Sequence, residues 1–273
     1  MRSGTRAAAS TIPRVGQTSR RLQAGVAGTT AYQRLRDLLR VRAAGAGRLD
    51  DAVAVLRRRG VVAVPDLFDA GWCRDAIAEL AGLYEHCETT TDDVGSDIRL
   101  WGAQRVSGCA AAFAAQPDLL AAGRRYLRSG MEVMTTMAGW LRPVEGNPGS
   151  GGGWHRDNAF VPQFKAIVYL TDVGPENGPF QYVPGSHRLR SVIGLLDVSG
   201  RRTITRYEES DFDDIAETMT GRAGTVVLTD TRGMHRGAPI ATGERWALTN
   251  YCFPPHRRAE FERDFAGVAG VFA

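Results

Sequence analysis

Lysine is almost missing from this 273-residue chain: Lys165 is the only one, although Lys and Arg together number 34 against 30 acidic residues. Arginine therefore carries nearly all the positive charge, and the net charge is +4. Much of that excess sits in the first 48 residues, where Asp37 is the only acid. A basic tail on a near-neutral body lacks the clustered patch that a nucleic-acid partner needs, and none is expected. Arginine-rich codon usage and a solvated tail account for the charge.

Paired cysteines are missing too. Cys73, Cys87, Cys109 and Cys252 contain no C-x-x-C pair. This excludes a zinc knuckle and a disulfide framework, and fits a reducing compartment. No run of about 18 apolar residues occurs, so no membrane span and no membrane partner are expected. No apolar secretory core follows the N-terminal arginines, and the last three residues are no peroxisomal address. Residues 1–45, rich in Arg, Ser and Ala, read as a basic tail, or as a transit segment leading to a mitochondrial or plastid matrix. Without such targeting the expected location is the cytoplasm. No internal repeat is present, and residues 46–273 are long enough for one domain with a sizeable core.

Two patterns fill that domain. Leu49, Val53 and Leu56 recur at helical spacing up to Gly60, and VVAVPDLF reads as a short strand. Asp69 is placed to cap a helix whose apolar stripe is Ile77, Leu80, Leu83 and Tyr84. Residues 88–108 read as a polar loop, and QPDLLAAGRRYLRSG as another helix. From 131 onward, short β-branched and aromatic runs bounded by Gly, Pro and Asp predict a mainly β fold, a jelly roll with an N-terminal helical layer. The charged segment 189–221 interrupts it as an insertion, read as either a lid over the substrate or a loosely ordered excursion.

His155 and Asp157 stand two residues apart after the glycine-rich GSGGG. Residues i and i+2 of a strand share a face, so an imidazole and a carboxylate can meet one metal while Arg156 points away. His235, after the strand at 225–229, is the candidate third ligand. Two histidines and a carboxylate on one face leave open coordination positions, as in non-haem Fe(II) oxygenases; the same ligands would also suit zinc. A turn centred near Ile240 would set Arg245 directly across from His235, within reach of a carboxylate held at the metal. The implied ligand is a dicarboxylate, with 2-oxoglutarate the obvious one. Lys165, in FKAIVYL, is expected to face solvent.

His155-x-Asp157, the string DVGPENGPFQYVPGSHR over 172–188, and His235 with an arginine ten positions on resemble the phytanoyl-CoA dioxygenase (PhyH-like) family of Fe(II)/2-oxoglutarate oxygenases. The resemblance runs from about 49 to 255. It implies a cupin-like double-stranded β-helix. It implies His155, Asp157 and His235 as catalytic iron ligands, and Arg245 as the anchor of the far (C5) carboxylate of 2-oxoglutarate. It further implies O2 as co-reactant, ascorbate as a stimulant and a small-molecule substrate, with oligomeric state left open. By position in such enzymes, Arg142 would assist cofactor binding and Trp140, Asn158, Phe160 and Gln163 would line the substrate pocket. His187, in the PGSH turn, would be structural. Related halogenases carry Gly or Ala in place of the carboxylate, so Asp157 implies oxygenation. The expected reaction is oxidation of an unactivated C–H bond, with a secondary metabolite as the preferred substrate and an acyl-CoA as the alternative. A non-catalytic or zinc-binding member of the fold is the remaining reading.

Overall fold

The computed structural model describes residues 49–157, 161–188, 205–206, 212, 214–268 and 270–271. Four helices come first: α1 (Asp50–Arg59), α2 (Ala70–Tyr84), α3 (Gly108–Ala114) and α4 (Pro117–Leu127), with α5 (Arg258–Asp264) near the C-terminus. The early strands are β1 (Val61–Val64), β2 (Thr90–Thr91), β3 (Asp97–Leu100), β4 (Glu132–Leu141), β5 (His155–Arg156) and β6 (Phe164–Tyr169). They are followed by β7 (Phe180–Tyr182), β8 (Thr205–Arg206), β9 (Glu217–Met219), β10 (Val226–Thr229), β11 (His235–Gly237) and β12 (Arg245–Phe253).

The strands form two antiparallel sheets, one in the order β1-β10-β6-β12-β4-β3-β2 and one in the order β8-β5-β11-β7-β9. This is the jelly roll that the short, punctuated runs predict. Capping places the helices where the pattern puts them: the Asp69 carboxylate accepts the Trp72 amide at 2.9 Å, and Ser107 caps α3 in the same way. The helices cover the outer face of the larger sheet. Leu56, Leu80, Phe113 and Leu119 pack there on Ala138, Val168, Leu228 and Leu248. Alternation then sends the odd-numbered residues of β6 and β12, and Met137, Gly139 and Leu141 of β4, inward between the sheets, while a bulge opposite Tyr251/Cys252 shifts the start of β4.

Two expectations need correction. Residues 88–108 are no plain loop, because β2 and β3 lie inside them. Asp92 makes this hairpin by accepting the amides of Ser96 at 2.6 Å and Asp97 at 3.1 Å, a local turn that leaves little hydrophobic signal. The end of the 189–221 segment is part of the fold, since β9 closes one edge of the smaller sheet while β8 forms the other. Residues 189–204, 207–211 and 213 of that segment lie outside the described residues, as does the basic tail, and the expected closure over the site falls on those residues. Among the described residues, no helix is long and apolar enough to cross a membrane.

Candidate active site

β5 and β11 are neighbours in the smaller sheet, and their register sets His155 directly opposite His235. The two rings lie 4.3 Å apart between centroids. Asp157 follows β5 and is fixed by its amide, which donates to the Thr231 carbonyl at 3.0 Å. Its Oδ1 lies 3.6 Å from His155 Nε2 and 3.9 Å from His235 Nε2. One ligand atom from each residue thus falls within 4.8 Å of the others, as a shared metal requires.

Both imidazoles are in the right tautomer for that task. His155 Nδ1 is 2.8 Å from the Gly153 carbonyl and His235 Nδ1 is 2.9 Å from that of Gly233. A carbonyl can only accept, so each Nδ1 carries the proton and each Nε2 keeps its lone pair for the metal. Burial, and then the neighbouring His155, push the His235 pKa down to about 3, so its ring is neutral at neutral pH. Burial opposes the charge on Asp157. Lys165 and the two histidines outweigh it and hold the carboxyl well below the usual carboxylate range. Arg156 points away from the cluster, fully buried, and donates to the Ser186 carbonyl at 2.8 Å and to that of Arg232.

The triad opens into a cavity of about 280 Å³ between the sheets. At one end lies Arg245, 9% exposed. Its guanidinium donates to the Gly178 carbonyl, and no carboxylate among the described residues pairs with it. Burial pulls its pKa below the usual arginine value, a sign that its charge lacks a partner. A buried, unpaired guanidinium calls for an anion. Gly139 and Ala247, opposite each other in β4 and β12, leave the floor beside it bare. The far end is aromatic: the Trp101, Tyr251 and Phe265 rings meet at centroid distances of 5.3 to 5.5 Å, with Val268 beside them.

Arg245 does not reach this cavity by a hairpin with His235. β11 belongs to the smaller sheet and β12 to the larger, so the two residues face each other across the cavity from different sheets. The string Asn177-Gly178-Pro179 organises that crossing: Asn177 Nδ2 donates to the Thr242 carbonyl at 2.9 Å, Gly178 receives Arg245, and the Pro179 carbonyl accepts the Ala238 amide at 2.8 Å. The second half of the motif is structural too. Ser186 Oγ accepts the Met234 amide at 2.8 Å, and His187 Nε2 lies 3.2 Å from the Arg57 carbonyl of α1.

Of the expected pocket residues, Gln163 lines the cavity, bonded to Thr231 at 3.1 Å. Asn158 and Phe160 lie outside the described residues. Trp140 and Arg142 do not reach the cavity. They have the wrong parity on β4: Met137, Gly139 and Leu141 point inward, whereas Trp140 stacks on Trp246 of the outer face at 4.9 Å. Arg142 lies over the Trp140 ring and donates to the Gly95 carbonyl at 2.9 Å. Lys165 is not solvated but buried, with its ammonium on Asp157. Both faces of β6 are covered, which a single strand cannot reveal. Arg99, paired with Asp97, is a further cavity residue hidden in the segment read as a loop.

The family model for phytanoyl-CoA dioxygenase (PhyH) matches residues 56–246. The chain belongs to the PhyH family. PhyH relatives among characterised proteins include the ectoine dioxygenase of Bordetella bronchiseptica, 33% identical over 140 residues. That match spans 44% of this chain and 44% of the relative, under half its length. The fold is shared with the epimerase SnoN, solved with Fe3+, alpha ketoglutarate and nogalamycin RO, at 24% identity and a TM-score of 0.61 over 75% of this chain and 83% of that one. It is shared also with HygX from Streptomyces hygroscopicus, solved with nickel, 2-oxoglutarate and hygromycin B, at 21% identity and a TM-score of 0.58 over 76% and 87%. The PhyH model shows the family and these neighbours share the fold, and the donor set described above fits an iron ion and 2-oxoglutarate. His155, Asp157 and His235 would hold the metal, and Arg245 the far carboxylate of 2-oxoglutarate.

Proposed function

We propose that this protein oxidises a C–H bond of a small molecule, a natural-product intermediate rather than a macromolecule, while 2-oxoglutarate and O2 are converted to succinate and CO2. The observation that carries this reading is one cavity lined both by the two-histidine, one-carboxylate cluster and by Arg245, with whose guanidinium no carboxylate among the described residues pairs. Iron bound there would supply O2 activation, chemistry that no side chain of the protein can perform.

The chain's own contribution is placement. Arg245 would fix one end of the cosubstrate, the bare floor at Gly139 and Ala247 would let it lie flat, and Tyr169 and Phe180 would close the sides. Trp101, Tyr251 and Phe265 would present flat apolar faces to the substrate and keep bulk water from the reacting carbon. SnoN and HygX, named above with their antibiotic ligands, support a natural product of moderate size.

The test is succinate formation by the Fe(II)-loaded protein with 2-oxoglutarate and a panel of candidate substrates. Substrate-dependent succinate is expected, and it should vanish in His155→Ala and Asp157→Ala. Undiminished turnover in either variant would refute the ligand set.

A further inference from the structure

The chain's only lysine lies against a metal ligand. Lys165 is on the inner face of β6, in one row with Thr229 of β10 and Tyr251 of β12. Its side chain is 7% exposed, and its Nζ sits 4.0 Å above the Tyr251 ring, which fixes the ammonium by a cation–π contact. That ammonium pairs with Asp157 Oδ2. The other oxygen of the same carboxylate, Oδ1, is the one that faces His155 Nε2 and His235 Nε2. The two oxygens therefore have separate partners.

We infer that Lys165 is a positioning residue that keeps Asp157 a one-oxygen metal ligand. The inference rests on the metal site proposed above. A carboxylate with both oxygens free can bind a metal through one or through both. In a six-coordinate ion, three single-atom ligands leave three positions open. A cosubstrate that chelates takes two, and one stays open for O2. A carboxylate that chelated instead would remove one of those three. An ammonium on Oδ2 prevents this, and it weakens the carboxylate as a donor by drawing its charge away from the metal.

The experiment uses Co(II), titrated without O2 into the wild type, Lys165→Met and Lys165→Arg, followed by 2-oxoglutarate. Visible absorption reports the coordination of the cobalt. In Lys165→Met, Co(II) should bind at least as tightly as in the wild type, because Asp157 now donates with both oxygens. Its absorption should change, and 2-oxoglutarate should bind the cobalt protein at least about tenfold more weakly, within the 10–100-fold range typical of residues that orient a ligand. Lys165→Arg, which keeps the charge, should restore the wild-type spectrum and most of the 2-oxoglutarate affinity. If Lys165→Met does not fold, Lys165→Gln carries the same expectation. An unchanged spectrum and unchanged 2-oxoglutarate affinity in the neutral variant would overturn the role of Lys165 alone, as would a parallel loss of Co(II) and 2-oxoglutarate. A wild type that binds neither would overturn the metal site itself.

Discussion

Gly151 and Gly153 separate a cost in folding from a cost in metal binding. Both stand before His155, and both have left-handed backbones, with φ of +89° and +90°. Alanine at either position pays roughly 1–2 kcal/mol for that conformation, a Tm drop of about 2–8 °C in a domain of this size. They differ in what the new methyl meets. At Gly153 nothing lies within 4 Å. At Gly151 the Cβ would fall 2.5 Å from His155 Cε1, against 3.4 Å for an ordinary contact, and 3.2 Å from Nε2 itself. The ring would have to yield by about 0.9 Å, whereas metal–ligand distances tolerate roughly 0.2 Å. Gly151→Ala should therefore weaken Co(II) binding about 100-fold, at least the upper end of what misplacing a ligand's support costs. Gly153→Ala should melt at a similar temperature and bind the metal within about threefold of the wild type, well under that range. Calorimetric titration with Co(II) and thermal unfolding of the metal-free proteins provide both readings. Wild-type metal affinity in Gly151→Ala, or equal losses in the two variants, would refute the reasoning.

Other outcomes follow from other parts of the site. Gly139→Leu adds a side chain whose first atom meets only Met137 Cε, at 3.6 Å. It should fold normally and bind 2-oxoglutarate at least tenfold more weakly, about 1.4 kcal/mol, as read by titration of the Co(II) protein. Trp140→Ala should lower the Tm by removing the Trp246 stack, about 1 kcal/mol beyond its lost area, and leave 2-oxoglutarate affinity unchanged. Asp230→Asn strands Arg232, now 2.5 Å from the buried carboxylate, and should cost about 3–5 kcal/mol in denaturant unfolding at pH 7. Burial opposes the Asp230 charge, but Arg232 outweighs it and depresses the pKa. Its stabilisation is thus complete above the unfolded value of about 3.9 and fades as pH falls through the lower folded value. The gap between wild type and variant should narrow over that acid range.

The convergence of His155, Asp157 and His235 was legible because residues two apart in extended chain share a face, and the jelly roll because its strands are short and clearly bounded. Arg245 was legible as a residue near the cluster but not in its route. A Pro/Gly turn between two strands looks the same whether they pair or part into different sheets. Trp140 and Arg142 failed by one residue of parity, since β4 is covered on both sides and neither face looks polar. Lys165 failed for the same reason: a charged residue within an apolar strand suggests water, and the partner that keeps it dry lies eight residues earlier, beyond the end of β5.

The crossing between His235 and Arg245 also acts as a gauge. The stretch between them is clamped through its own amides, that of Ile240 donating to the Asn147 side-chain Oδ1 at 3.0 Å and that of Ala241 to the Glu176 carbonyl at 2.8 Å. These clamps hold the backbones of His235 and Arg245 at a set spacing, which on the reading proposed above would help fix the span between a bound metal and the guanidinium. Discrimination among four-, five- and six-carbon 2-oxo diacids would then reside in the length of this stretch. One residue inserted at Thr242-Gly243 should relax the preference for five carbons while leaving Co(II) affinity intact, a shift that competition among the three diacids would reveal.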